Sequence, residues 1–314
     1  MSALLESELP ILLYSRGKVR DSYEVDDLLL IVSTDRISAF DSVLPCGIPD
    51  KGLVLNHLSA FWFERTRHIV PNHLVELVED SRILMRYFPP NKCYVYPSYL
   101  AGRSMIVKKA KRLPVECVVR GYLAGSAWSE YQEKGTACGL SLPQGLKESQ
   151  ELPHPLFTPT TKEDEGHDLP LSFEEMKKLI GESLAEQVQQ KSLAVYEYAR
   201  EYAKDKGIIL ADTKMEFGLV DDQLILIDEL VTPDSSRFWD AKQYQAGRSQ
   251  PSFDKQPLRD WLVASGWNKE PPAPMLPPKV IEDTAERYRQ AYIRLTGKEI
   301  ERPSVRRRRR YVSG

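Results

Sequence analysis

Apolar residues cluster in short runs through the first third of the chain: Ile11 to Tyr14, Ser22 to Val25 and, after Asp26-Asp27, Leu28 to Val32. Short runs broken by polar turns predict an antiparallel β beginning. From Leu55 to His68 the period becomes helical, with Leu55, Leu58, Phe61 and Trp62 on one side. Val95 to Val107 and Val115 to Val119 return to strand character, and the basic connection Lys108 to Arg112 between them is the predicted lobe boundary. A Gly/Pro-rich loop from Gly135 to Gly166 follows. Ser172 with Glu175 three residues later forms a capping box that opens a helix. A longer helix is predicted from about Ser183 to Lys206, stopped by Gly207, with Leu184, Val188, Leu193, Tyr196 and Ala199 facing a core. Ile208 to Ala211 begins a buried strand, Pro271 to Pro278 is a connector, and Ile281 to Leu295 is a terminal helix ended by Gly297.

With 314 residues, 42% hydrophobic and 28% charged, the chain has material for one large or two moderate domains and is not disordered. Its 43 basic and 45 acidic side chains leave a formal charge of -2, so no global field favours nucleic acid or a membrane. Any anion site must be local. Four scattered cysteines without a CxxC pair offer neither a disulfide framework nor a zinc site. No basic-then-apolar leader and no run near the roughly 20 apolar residues of a membrane span is present. A soluble protein of the reducing cytosol, without membrane or nucleic-acid partners, is the expectation.

Chemistry concentrates in four places. In Asp212-Thr213-Lys214-Met215-Glu216-Phe217-Gly218, strand alternation puts Asp212, Lys214 and Glu216 on one face. A turn centred near Asp222 pairs Val220 with Leu224, Gly218 with Leu226 and Glu216 with Asp228, so two carboxylates oppose each other. Like charges across a strand pair call for a cation. Magnesium, which takes one or two carboxylates plus phosphate oxygens, fits, and so does plain neutralisation by Lys214. Tyr14-Ser15-Arg16-Gly17-Lys18-Val19-Arg20-Asp21 is a tight turn with three basic side chains between two strands that could close over phosphates or simply be solvated; it is neither a Walker loop nor a GxGxxG fingerprint. Arg120-Gly121-Tyr122-Leu123-Ala124-Gly125-Ser126 leaves a strand for a helix at Ala127 to Glu133, a geometry suited to a phosphate or to an ordinary Ser cap. Thr232-Pro233-Asp234-Ser235-Ser236-Arg237 adds an acid and an arginine.

Together these segments resemble the SAICAR synthetase family, the phosphoribosylaminoimidazole-succinocarboxamide synthases, to about residue 300. The segments 114–126 and 210–218 carry the resemblance most strongly, with Gly17 to Asp21, Thr34 to Asp41, Asp228-Glu229 and Pro233 to Arg237 in the same order. The resemblance implies an α+β, two-lobed SAICAR synthetase-like fold related to kinase and ATP-grasp clefts. Residues 1–112 would form a β-rich nucleotide lobe, 113–300 a substrate and metal lobe ending in a helix, and 301–314 a basic tail. It implies an ATP-dependent ligase joining L-aspartate to the carboxylate of carboxyaminoimidazole ribotide (CAIR) through an acyl phosphate, in purine biosynthesis.

By the same resemblance, Glu216 and Asp228 hold magnesium. Lys18 and Arg20 meet the ATP phosphates, and the backbone near Arg112 meets the adenine. Arg120, Ser126 and Arg237 grip the ribotide phosphate, Asp212 meets its sugar, and Lys214 and Asp234 lie near the reacting centre. Lys162, in Thr158 to Lys162, falls near phosphates or aspartate. The sequence departs from the family pattern at Leu169-Pro170-Leu171 and in the run Arg306 to Arg310, which suits a solvated tail or weak polyanion contacts. A kinase-like phosphotransferase using the same cleft is the competing enzyme, and product mass separates the two.

Overall fold

The computed structural model describes residues 3–40, 42–88, 96–162 and 169–302. Asp41, Val95, His167-Asp168 and the arginine run lie outside the described residues. The elements in order are β1 (Leu13–Arg16), β2 (Arg20–Val25), β3 (Leu28–Ser33), β4 (Arg36–Ala39), β5 (Ser42–Gly47), α1 (Lys51–Thr66), β6 (Leu74–Leu77), β7 (Ser104–Lys108) and β8 (Lys111–Tyr122). Then come α2 (Ser126–Lys134), the short β9 (Thr136–Ala137) and β10 (Leu140–Ser141), β11 (Glu151–Phe157), β12 (Thr160–Thr161), α3 (Phe173–Ile180) and α4 (Glu182–Asp205). The last are β13 (Ile208–Val220), β14 (Gln223–Ile227), β15 (Ser236–Asp240), α5 (Gln256–Ala264) and α6 (Pro278–Thr296).

Two antiparallel sheets organise the molecule. The first runs β1-β2-β3-β7-β6. In β2, Asp21, Tyr23 and Val25 point inward and alternate with half-buried residues, as a sheet with one covered face requires. The second runs β11-β8-β13-β14, with β12 beside β8 and β15 beside β13. Its central strands have two buried faces of different chemistry. Val115, Cys117, Val119, Met215 and Phe217 join a core with Val188, Val195, Tyr196 and Ala199 of α4. The alternate residues, Glu116, Arg120, Asp212, Lys214 and Glu216, face a cleft.

That core does not stop at the sheet. It includes Ile31, Met105 and Val107 of the first sheet, Leu55, Leu58 and Trp62 of α1, and Tyr288, Ala291 and Leu295 of α6. The expected capping box is present, with Ser172 accepting from the Glu175 N–H and Glu175 reaching back to Ser172. α6 ends at Gly297 in the left-handed conformation, its N–H donating to Ile293 O.

Three local expectations are corrected. The β13–β14 turn is a two-residue turn in which Asp221 and Asp222 both adopt positive φ, 49° and 59°. Val220 therefore pairs with Gln223 and Glu216 with Ile227, one residue from the predicted register. Asp228 lies just beyond the strand. Ser126 is not the cap of α2, since Gly125 occupies that position. The stretch read as a loop from Gly135 contains β11, an edge strand whose Pro153 and Pro155 sit where pairing with β8 is interrupted.

Candidate active site

A cleft of ≈ 820 Å³ is lined by the β1–β2 turn, β8, β13 and the segments after β14 and before α5. The residues picked from the sequence line it: Lys18, Arg20, Arg112, Arg120, Ser126, Asp212, Lys214, Glu216, Asp228, Asp234 and Arg237, with Lys162 beside them. The first sheet contributes the β1–β2 turn together with Ser22 of β2 and its ladder partner Ile31 of β3. Gly17 N–H closes that turn onto Arg20 O at 2.8 Å. Arg36 then fixes it from behind, donating to Gly17 O at 2.9 Å and Lys18 O at 3.2 Å while pairing with buried Asp21 at 2.8 Å. A guanidinium that satisfies both carbonyls holds the basic tip in place without occupying the cleft.

The acidic centre is larger than the sequence suggested. Glu216 opposes Glu116 of β8 in the ladder, not Asp228. Lys162 bridges the two, 2.5 Å from Glu116 and 2.9 Å from Glu216, and Lys214 sits 2.6 Å from Glu116. Burial disfavours both ammonium groups, but these carboxylates outweigh it and raise their pKa. Asp228 pairs with Arg20 at 2.6 Å, and Arg20 also reaches Glu229 at 3.2 Å. Burial, with Glu216 and Glu229 nearby and Arg20 opposing them, pushes the Asp228 carboxyl up to about 6. Among the described residues no group of three His, Cys, Asp or Glu side chains is arranged as a metal cage. Glu216 and Asp228 both line the cleft, and carboxylates are what magnesium uses when substrate phosphates supply the remaining oxygens.

At the other end, Asp212 lies between two arginines in the sheet register, Arg120 on β8 and Arg237 on β15. Arg120 reaches it at 3.3 Å, Arg237 forms a closer ion pair, and Arg120 also approaches Ser126 Oγ at 3.4 Å. One carboxylate on two guanidiniums leaves net positive charge there. Gly125 has φ +58 and lets the chain pass the Arg237 guanidinium, since a Cβ at that position would lie 2.3 Å from its Nη2. Asp234 stands between the two ends, with Lys51, Lys255 and Tyr288 around its carboxylate. These cations hold its pKa well below the usual carboxylate range despite its burial.

Sequence reading missed Glu116, Lys255 and Arg259. Glu116 had a signal, an acid within an otherwise apolar strand. Lys255 at the start of α5 and Arg259 within it are one helical turn apart, but spacing alone does not separate a cleft-facing pair from a solvated one.

The family model described as SAICAR synthetase matches residues 13–274. The chain belongs to the SAICAR synthetase family. It is 53% identical over 296 residues to the phosphoribosylaminoimidazole-succinocarboxamide synthase of Thermodesulfovibrio yellowstonii, covering 94% of this chain and 99% of that protein. The synthase of Geotalea uraniireducens is 52% identical over 298 residues, covering 94% and 98%. Among solved structures, the Saccharomyces cerevisiae SAICAR synthase complexed with SAICAR superposes with TM-score 0.84 at 44% identity, over 95% of this chain and 100% of that one. A type-2 SAICAR synthetase in complex with ADP gives TM-score 0.67 at 27% identity, over 92% and 99%. Like the other SAICAR synthetases, this chain is an enzyme, an ATP-dependent carbon–nitrogen ligase of purine biosynthesis. No helix among the described residues is long and apolar enough to cross a membrane.

Proposed function

We propose that the cleft joins L-aspartate to the carboxylate of CAIR, with ATP first phosphorylating that carboxylate and the aspartate amine then displacing phosphate. The observation that carries this reading is the single cleft holding two cationic ends with a carboxylate cluster between them. Such a site needs no covalent nucleophile. A carboxylate has a poor leaving group until phosphorylated, so the protein's work is alignment and neutralisation of phosphoryl charge.

Lys18 and Arg20 face the ATP phosphates, and the backbone near Arg112 faces the adenine. Glu216 and Asp228 are the residues that would hold magnesium, which when bound supplies charge neutralisation at the phosphoryl group. Arg120, Arg237 and Ser126 take the ribotide phosphate, and Asp212, held by the two arginines, accepts from the ribose hydroxyls. Lys214 and Asp234 flank the reacting centre. Arg259 lines the cleft with no ion pair or side-chain hydrogen bond to any described residue, which leaves it for a carboxylate of aspartate. Arg259→Met is expected to raise the KM for aspartate about tenfold or more, with the KM for ATP unchanged, in steady-state assays. The division near residue 112 is then one of binding roles, since one core includes both sheets.

The test of the whole reading is ADP release by the purified protein with magnesium. Release that requires both CAIR and aspartate, with the amide found by mass spectrometry, is the expected result. A stable phosphorylated product without amine incorporation would indicate a phosphotransferase instead.

A further inference from the structure

Behind the cleft lies a charge arrangement that the ligation scheme leaves unused. Lys51, the first residue of α1, is fully buried and does not line the cleft. Its Nζ is 2.8 Å from Asp234 Oδ2. Lys255 Nζ, on the cleft side, is 3.2 Å from the same oxygen. Tyr288 donates to the other oxygen, Oδ1, at 2.5 Å. One lysine would be enough to neutralise Asp234. Burying a second ammonium costs several kcal/mol that a shared partner offsets only in part.

The backbone that delivers Lys51 is itself clamped. Asp50 adopts φ 67° before the helix, and its carboxylate is held by Arg289 of α6 at 3.1 Å and by Arg302 at 2.6 Å. Lys51 therefore cannot relax away from Asp234 by a small shift of the helix end.

We propose that Lys51 is a positioning residue for the ligation: by holding Asp234 from outside the cleft and competing with Lys255 for one carboxylate oxygen, it leaves Lys255 as the group that accepts a proton from the aspartate ammonium. This rests on the reading of the cleft given above. The chemistry balances without a further reactant. The ammonium loses one proton to the Lys255 amine, and the freed lone pair forms the C–N bond as the C–O bond to phosphate breaks. Phosphate leaves with that electron pair and carries off the second proton lost as the amide forms.

The groups facing Lys255 agree with that role. Burial is the largest influence and lowers its pKa; Asp234 opposes this, Lys51 and Arg259 add to it, and Glu229 opposes it weakly, bringing Lys255 to about 8. Tyr288 of α6 faces Asp234 on the opposite oxygen. A base must be neutral to act, so turnover should rise as pH rises through the Lys255 pKa. Removing Lys51 takes away a cause of lowering, so that limb should move to higher pH.

The experiment compares wild type, Lys51→Met and Lys51→Arg by kcat/KM for aspartate from about pH 6 to about 9.5, at saturating ATP and CAIR. The expected result is a limb near pH 8 in wild type, shifted upward by about one unit or more in Lys51→Met and kept in Lys51→Arg. A folded Lys51→Met enzyme whose loss is the same at every pH overturns the proposal and leaves Lys51 a purely structural residue. Should Lys51→Met fail to fold, acetylation of Lys255 in wild type, followed by mass spectrometry against pH, decides the matter. A midpoint near 8 supports the assignment, and one near the ordinary lysine value of about 10.4 overturns it. Absence of ligation by wild type would sink the functional reading itself, whereas ligation with an unmoved limb sinks only the role of Lys51.

Discussion

Glu216→Gln and Asp228→Asn are each expected to lower kcat by at least about 100-fold while leaving the fold intact. The reason the fold should survive is the redundancy of charge around both residues. Without the Glu216 charge, Lys162 and Lys214 still share Glu116. Without the Asp228 charge, Arg20 still has Glu229 at 3.2 Å. Neither change strands a buried cation, the condition under which breaking an ion pair is strongly destabilising. What each variant loses is an anionic oxygen lining the cleft. The magnesium concentration for half-maximal rate should therefore rise in both, and melting temperatures should stay close to wild type. Unchanged magnesium dependence in the two variants would remove the hairpin as the metal site.

Gly125→Ala should weaken CAIR binding about 100-fold or more, although residue 125 has no side chain to contribute. Its φ of +58 with ψ of -134 lies in a region that L residues rarely enter, which costs about 1–3 kcal/mol in itself. The added Cβ would also meet the Arg237 guanidinium, with its Cζ 2.8 Å away. Arg237 is held by Asp212, so it can yield only by giving up that ion pair. The KM for CAIR should rise far more than the KM for ATP, whose predicted contacts come from the β1–β2 turn. Equal effects on both would point to general loosening of the sheet.

The sequence made much of this legible because the cleft is built on strands. Alternation alone puts Asp212, Lys214 and Glu216 on one face, and all three line the cleft. The helices α4 and α6 announced themselves through period and terminal glycines. The register of β13 with β14 was misplaced by one residue because an Asp-Asp turn lacks the glycine that normally marks a two-residue hairpin. Glu116 was visible as an oddity, but its opposition to Glu216 depends on which strands are neighbours. Nothing local marks Lys51 either. It follows Asp50 at a helix start and reads as an ordinary charged turn, and only the tertiary fold carries it to Asp234.

The partnership of α1 with α6 also constrains the order of events on the ribosome. Lys51 emerges early, while Tyr288, Arg289 and Arg302, which complete the surroundings of Asp234 and Asp50, are among the last residues described. Until α6 has been synthesised, the side of α1 that meets Tyr292 through His57 has no covering helix. Nascent chains should therefore expose apolar surface through most of translation and gain a finished cleft only at its end.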